Sequence, residues 1–234
     1  MRANSIWIHR LFILYRITRR NFYKIIGSWN IYLQPKSLFS IKAGYHHATR
    51  AETFDDTSGR TDEWQRSVYE LSATLAQKYN VSSVLDVGCG SAYKLITLLS
   101  QYDITGIETE PAYSWLNKKY PAHKWLLFNS IEPSLLHQDL VICSDVIEHI
   151  KNPNEMMDFL AAINFRCLVI STPERDAVRG ERDYGPPENT AHYREWNKEE
   201  FKNYVSQWFT IMEHHVFDDK SIAQAMVCIK PDGK

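Results

Sequence analysis

The chain predicts an α/β fold built on a doubly wound, mostly parallel sheet, and three observations carry that prediction. Short apolar runs at 83–87, 103–107, 124–128, 139–143 and 167–171 alternate with helix-length segments, the pattern of strands joined by helical crossovers. The first run ends in Asp86-Val87-Gly88-Cys89-Gly90-Ser91-Ala92, where a helix is due to begin. Two further extended runs, 208–217 and 222–230, are joined through Asp218-Asp219-Lys220, and so close a connection pairs them as an antiparallel hairpin. The sum is a seven-stranded sheet with a C-terminal antiparallel hairpin.

The elements follow in order. Residues 6–26 read as a basic amphipathic helix, because Arg10 and Arg16 interrupt the apolar run Ile6 to Ile17. That run is too short and too charged to span a bilayer, and no small-residue cleavage site follows it. Two readings stay open for it. It can lie on an anionic membrane surface, giving peripheral contact through residues 1–30, or it can pack its apolar side on the main domain. Residues 27–60, with Gly27, Pro35, Gly44 and Gly59, read as a linker. Asp62 with Gln65 forms a capping-box start, and Trp64, Val68, Leu71, Leu75 and Tyr79 recur at spacings of three and four, which predicts an amphipathic helix over 62–79. The domain boundaries are therefore 1–60 for helix and linker and 61–234 for the main domain. A last helix near 197–207 precedes the hairpin, and 234 residues suffice for one domain with a sizeable core plus an appendage.

Net charge is −1, but nine of the 27 basic residues and none of the 28 acidic ones precede Glu52. The rest of the chain is strongly acidic and makes a poor electrostatic track for nucleic acid. Cys89, Cys143, Cys167 and Cys228 show no C-x-x-C spacing, which fits a reduced compartment. The expected location is cytoplasmic, or peripheral to the inner face of the membrane.

At the end of the first strand, glycine lets the chain take positive φ and lets a ligand approach the main chain. A dinucleotide fingerprint, G-x-G-x-x-G, needs glycine where Tyr93 stands, so pyrophosphate binding is disfavoured. Asp86-x-Gly88-x-Gly90-x-Ala92 instead resembles the first motif of class I S-adenosylmethionine-dependent methyltransferases, with alanine at the last place. The resemblance runs from about residue 62 to 230, and the hairpin-ended seven-stranded sheet is similar to that Rossmann-like fold. It implies S-adenosyl-L-methionine as cofactor, bound through Asp86, Gly88, Gly90 and Ala92. Glu108 ends the second strand roughly 20 residues beyond the glycines, where a ribose-binding acid belongs in such folds. Aligned with the family, Ser130 takes the adenine position after the third strand, and Ser144 a cofactor position at the end of the fourth.

Ser144 runs straight into Asp145-Val146-Ile147-Glu148-His149-Ile150. A helical turn starting at Asp145 puts Asp145, Glu148 and His149 on one face, where they form either a general-base cluster or a divalent-metal site. With His192, in a proline-broken loop after the fifth strand, the pattern resembles the E-x-x-E-H…H arrangement of metal-dependent small-RNA 2′-O-methyltransferases, and also the E-x-x-E-H region of ubiquinone-pathway O-methyltransferases. That resemblance implies Mg²⁺ or another divalent cation on Asp145, Glu148, His149 and His192, gripping a substrate diol and acidifying its hydroxyl. Asp stands where the family has its first Glu. In the metal-free alternative His149 or His192 takes the proton directly.

No N/D-P-P-Y segment follows the fourth strand, which disfavours methylation of base amino groups and favours an oxygen acceptor. Ser171-Thr172-Pro173-Glu174-Arg175-Asp176 and His192-Tyr193-Arg194-Glu195-Trp196 resemble bacterial methyltransferases of the small-molecule, glycan-biosynthesis kind. Arg175, Arg179, Arg182 and Arg194 can grip a phosphate or carboxylate, unless Glu181 and Asp183 neutralise Arg179 and Arg182 in a solvated loop, and Tyr193 and Trp196 offer faces for a sugar ring unless Trp196 anchors the core. The expected function is O-methyl transfer to a hydroxyl of a sugar-like small molecule, from an envelope glycan or its lipid- or nucleotide-linked precursor. The alternatives are an RNA ribose 2′-O-methyltransferase, although nucleic acid fits the charge badly, and a non-catalytic cofactor-binding subunit.

Overall fold

The computed structural model describes residues 38–52, 57, 64–218 and 222–231. The helix expected over residues 6–26, most of the expected linker, and Asp62 lie outside the described residues.

The elements are α1 (Arg66–Lys78), β1 (Ser83–Val87), α2 (Tyr93–Leu99), β2 (Asp103–Glu108), α3 (Ala112–Lys119), β3 (Lys124–Leu127), β4 (His137–Ser144), α4 (Pro153–Ala162), β5 (Asn164–Pro173), α5 (Arg175–Arg179), α6 (Lys198–Val205), β6 (Thr210–Val216) and β7 (Ala223–Ile229). The sheet order is β3-β2-β1-β4-β5-β7-β6. Strands β1 to β5 pair in parallel. β7 inserts antiparallel between β5 and β6. The seven strands, their direction and the terminal hairpin are those the sequence predicts.

Successive residues along β1 serve opposite faces of the sheet. Leu85 and Val87 belong to one apolar cluster, with Val141, Cys143 and Ile170, and Val84 to the other, with Leu140, Ile142 and Val169. A strand covered on both faces reads as a continuous apolar run, and that is why the central strands were visible in the sequence. The four cysteines are free and buried. α6 starts at the capping box of Asn197, whose side chain accepts from the Glu200 amide at 2.9 Å while Glu200 accepts from the Asn197 amide at 3.0 Å.

Two expectations change. α1 begins at Arg66, after Gln65 in the left-handed region with φ 59 and no side-chain cap. Its inward face is Val68, Tyr69, Ser72, Leu75 and Ala76, whereas Trp64 and Tyr79 are exposed. Second, the described part of the expected linker is packed on the domain. Ile41 and Tyr45 are buried within the core cluster of α4 and α6. Backbone bonds from His46 to Tyr184, Ala48 to Tyr193 and Glu52 to Thr190, at 2.8, 2.8 and 2.9 Å, stitch residues 46–52 to the loop after α5. Gly185 makes that approach possible: its φ is +67, and a Cβ there would lie 2.4 Å from the His46 carbonyl oxygen. The packed unit thus includes residues 38–52, ahead of the boundary at 61.

Candidate active site

A cavity of about 560 Å³ opens at the carboxyl ends of β1, β2 and β4, where ligands of open α/β sheets bind. The loop after β1 forms one wall. Gly88 has φ +77, and a Cβ on it would lie 2.5 Å from a Val146 methyl; Gly90 and Ala92 also take positive φ, 54 and 53. The wall is therefore bare main chain. Gly88 and Gly90 line the cavity, while Ala92 is buried behind it as the cap of α2. Glu108 lines it opposite: its Oε1 accepts from the Gly90 amide at 2.7 Å and its Oε2 from the Thr109 amide at 2.8 Å.

Asp86 sits beneath this loop, fully buried. Tyr69 Oη donates to its Oδ2 at 2.8 Å, and the Lys94 ammonium lies over the Tyr69 ring. Oδ1 is buried without a hydrogen-bond partner. Burial pushes the carboxyl up to about 7, against the Tyr69 hydrogen bond and Lys94. Asp86 does not itself line the cavity, but a carboxyl oxygen that lacks a donor directly beneath the glycine loop suits the cationic ammonium of an amino-acid ligand.

The third wall comes from β4 and the turn after it. Ser171 Oγ donates to Asp145 Oδ1 at 2.6 Å; its proton being so used, Ser144 is the donor in the 3.0 Å Ser144–Ser171 hydroxyl pair. Asp145 takes φ 52, and only Ile147–His149 forms a 3₁₀ turn. The helical face expected to carry Asp145, Glu148 and His149 together does not form, because a positive φ at Asp145 breaks the helix and turns its carboxylate to Ser171. Glu148 is fully buried, with neither carboxylate oxygen hydrogen-bonded. Burial, with Asp145 nearby, raises its pKa well above the usual carboxylate range.

His149 lines the cavity, and its Nδ1 lies 3.0 Å from the Ala191 carbonyl oxygen. A carbonyl only accepts, so Nδ1 carries the proton and Nε2 is the basic nitrogen of the neutral ring. Burial lowers its pKa. His192 is buried against it, the ring centroids 4.6 Å apart. Asn189 fixes its own amide by accepting from the Ala191 N–H, so its Nδ2 donates to His192 Nε2 at 2.9 Å, and His192 Nδ1 donates to Glu195 at 2.7 Å. Both nitrogens of His192 are thereby engaged, and burial beside His149 and Arg179 holds its pKa down to about 3.

The expected four-ligand cation site is not assembled. Potential ligand atoms of Glu148, His149 and His192 lie within 4.8 Å of one another, but Asp145 is not in this group. Glu148 and His192 do not line the cavity, and the His192 lone pair is spent on Asn189. These residues do not fit a cation that grips an acceptor in the cavity.

Other expectations also shift. Ser130 is exposed and donates to the Leu127 carbonyl, and its neighbours Phe128 and Asn129 line the cavity instead. Trp196 is fully buried and stacks on Tyr204, so it is a core anchor, while Tyr193 lines the cavity. Arg175 is fully buried in a bidentate pair with Glu200 at 2.7 and 3.0 Å. Arg179 pairs with Asp183 and Glu195. Arg194 donates to the Ile150 and Lys151 carbonyls, both at 2.6 Å. None of these arginines, nor Arg182, lines the cavity. Sequence reasoning missed Glu52, Trp64, Tyr69 and Lys94 as cavity residues. Only Trp64 left a signal, an aromatic ahead of the helix it was assigned to.

Sheet order, terminal hairpin and glycine wall define a class I S-adenosylmethionine-dependent methyltransferase fold. A family model described as a methyltransferase domain matches residues 57–226, and the chain belongs to that family. No curated protein matches it by sequence. Among solved structures, the methyltransferase domain of a bacterial Hen1 is similar over 71% of this chain and 98% of its own, with TM-score 0.57 and 17% identity. The magnesium protoporphyrin IX methyltransferase ChlM of Synechocystis PCC 6803 matches over 71% and 84%, with TM-score 0.54 and 15% identity. The N-methyltransferase NodS of Bradyrhizobium japonicum WM9 matches over 76% and 94%, with TM-score 0.52 and 14% identity. Both of the last two carry S-adenosylhomocysteine or are described with it. The chain is an S-adenosylmethionine-dependent methyltransferase domain. Among its described residues no helix is long and apolar enough to cross a membrane.

Proposed function

We propose that this methyltransferase transfers its methyl group to a hydroxyl of a small, sugar-like molecule, with His149 as general base and without a metal ion. The observation that carries this reading is the fixed tautomer of His149: its Nδ1 proton is committed to the Ala191 carbonyl, and the ring lines the same cavity as the glycine wall.

Main-chain groups at 88–90 and the carboxylates of Asp86 and Glu108 would hold S-adenosylmethionine, which when bound supplies an electrophilic methyl on a sulfonium. The chain's own residues handle the acceptor. A hydroxyl is a weak nucleophile at neutral pH, and a neutral imidazole takes its proton as oxygen begins to attack. Lowered basicity keeps His149 neutral and ready for that step. Tyr193 and the exposed face of Trp64 border the cavity and give a sugar-like ring flat surfaces to lie on.

Transfer to an RNA ribose has less support, because Arg175, Arg179 and Arg194 are turned into the protein and Arg182 is away from the cavity. The test is a screen of sugars and glycans with labelled cofactor, followed by mapping of the methylated atom. Methyl ethers whose formation collapses in His149→Ala, at unchanged affinity for S-adenosylhomocysteine, support the reading. Products methylated at nitrogen or carbon, or full activity in the variant, overturn it.

A further inference from the structure

We infer that the acceptor carries a protonated amine, so that the substrate class is an amino sugar or similar aminated polyol rather than a phosphorylated one. This rests on the reading of the cavity as the methyl-transfer site with a sugar-like acceptor, and it deepens that reading.

The charge lining the cavity is one-sided. Glu52, Glu108, Glu110 and Glu155 are acidic residues of the lining, with Asp145 bound to Ser171, whereas Lys94 is the one lysine or arginine among the described lining residues. Lys94 is itself buried over the Tyr69 ring beside Asp86, on the cofactor side. Glu108 belongs to the glycine wall and Glu110 accepts from Ser114 at the start of α3, so these two also flank the cofactor half.

Glu52 is placed differently. Its Oε2 accepts from Thr190 Oγ and its amide donates to the Thr190 carbonyl. Thr190 immediately precedes Ala191, whose carbonyl fixes His149. One short stretch of loop therefore sets both the base and a carboxylate at the cavity edge. Glu155 stands in the first turn of α4, just beyond the His149 turn, and accepts from Asn152 at 3.0 Å. Trp64 and Tyr193 add aromatic faces, which attract an ammonium through their quadrupoles.

The placement of the arginines accounts for this one-sided lining. Three of the arginines that the sequence offered to an anionic acceptor are consumed by Glu200, Glu195, Asp183 and two backbone carbonyls, and the fourth, Arg182, is away from the lining. A phosphate entering the cavity would meet carboxylates with no arginine among the described lining residues to answer it, and like charges in a partly enclosed site repel. An ammonium meets the opposite field.

The full chain, saturated with S-adenosylhomocysteine, is titrated by calorimetry with glucosamine, N-acetylglucosamine and glucose 6-phosphate. Glucosamine is expected to bind tightest and glucose 6-phosphate weakest, with the glucosamine affinity falling as salt rises. Glu52→Gln keeps the shape and is expected to weaken glucosamine roughly fivefold, the factor that about 1 kcal/mol of ion pairing gives, with N-acetylglucosamine and S-adenosylhomocysteine unchanged. Equal affinities, a preference for the phosphate, or binding of none of the three overturns the inference. Transfer from labelled cofactor separates this from the acceptor-atom reading. A methyl on the amine of a tightly bound glucosamine overturns the oxygen acceptor and leaves the charge inference standing, and a methyl ether on a preferred phosphosugar does the reverse.

Discussion

The Gly90 amide donates to Glu108 Oε1 across 2.7 Å, so the glycine wall after β1 and the acid at the end of β2 are joined before any ligand arrives. Glu108 also accepts from Thr109, and a carboxylate between two backbone amides is fixed in position. The side chain expected to take the ribose hydroxyls therefore also sets the shape of the glycine wall.

Replacing Glu108 by Gln keeps the volume and one acceptor but loses the charge-assisted bonds, each worth roughly 1.5–3 kcal/mol. Affinity for S-adenosylhomocysteine is expected to fall between about tenfold and a hundredfold on that basis, read by calorimetry. His149→Ala, on the opposite wall, is expected to leave that affinity within twofold of the parent, roughly the ±0.5 kcal/mol of a change at an uninvolved position. A joint loss in both variants would place His149 in the cofactor site.

On the proposed reading, in which Asp86 faces the cofactor's ammonium, cofactor binding is a proton-linked event. Its carboxyl is pushed up to about 7 by burial, and an ammonium arriving at its unpartnered oxygen favours the charged form. Binding S-adenosylhomocysteine near pH 7 should therefore release a fraction of a proton, seen as a dependence of the binding enthalpy on buffer ionisation. The same shift has a stability signature. The folded protein holds this proton up to about pH 7, while the unfolded chain loses it near the ordinary carboxyl value of 3.8. Between those values the native state binds more protons, and stability contributed by this group falls as pH rises. Asp86→Asn should flatten that fall and abolish the proton release.

For His149 the sign is opposite in its effect on rate. Burial lowers its pKa from the ordinary 6.5, and only the neutral ring accepts a proton. The acceptor kcat/KM should fall as pH drops through a midpoint below that value and stay level above it until another group titrates. His149→Ala should lose roughly 10²- to 10⁴-fold, the usual contribution of a general base, and abolish the inflection. A midpoint above the ordinary histidine range would assign the base elsewhere.

Because Asp145 is held by Ser171 and His192 by Asn189 and Glu195, transfer should proceed at an unchanged rate after exhaustive chelation, and added Mg²⁺ or Mn²⁺ should not raise it. Activity lost in chelator and restored by one cation would show that these side chains rearrange around a metal.

The sheet and the glycine wall were legible because their causes are local. Strands buried on both faces appear as apolar runs, and the break to Gly88 and Gly90 marks where main chain must be bare. Asp145 was misread because nothing in Asp-Val-Ile-Glu-His announces a positive φ; Ser171, whose hydroxyl and carbonyl both accept from the Asp145 amide, lies on the neighbouring strand. Arg175 and Arg194 looked available since their partners are distant in sequence: Arg175 meets Glu200 25 residues on, and Arg194 the Ile150 carbonyl. The packing of residues 38–52 was invisible for the same reason. It is held by Ile41 and Tyr45 in the core and by main-chain bonds to residues more than a hundred positions away, which leave no periodicity to read.

That packed segment gives the last prediction. Gly185 combines φ +67 with a gap into which a Cβ would bring a contact of 2.4 Å with the His46 carbonyl oxygen. In Gly185→Ala the loop must leave the left-handed region or the segment must move away. Holding alanine in that conformation costs on the order of 1–3 kcal/mol, so relaxation of the His46–Tyr184 bond is the expected response. The strain reaches Glu52 and Tyr193, which hang on the same ladder of backbone bonds. It does not reach Gly88, Gly90 or Glu108, which are built on β1 and β2. The variant should therefore raise the acceptor KM severalfold while its affinity for S-adenosylhomocysteine stays at the parent value, and hydrogen exchange at the His46 and Ala48 amides should accelerate. Equal losses for cofactor and acceptor would mean that the segment supports the whole cavity rather than its acceptor side.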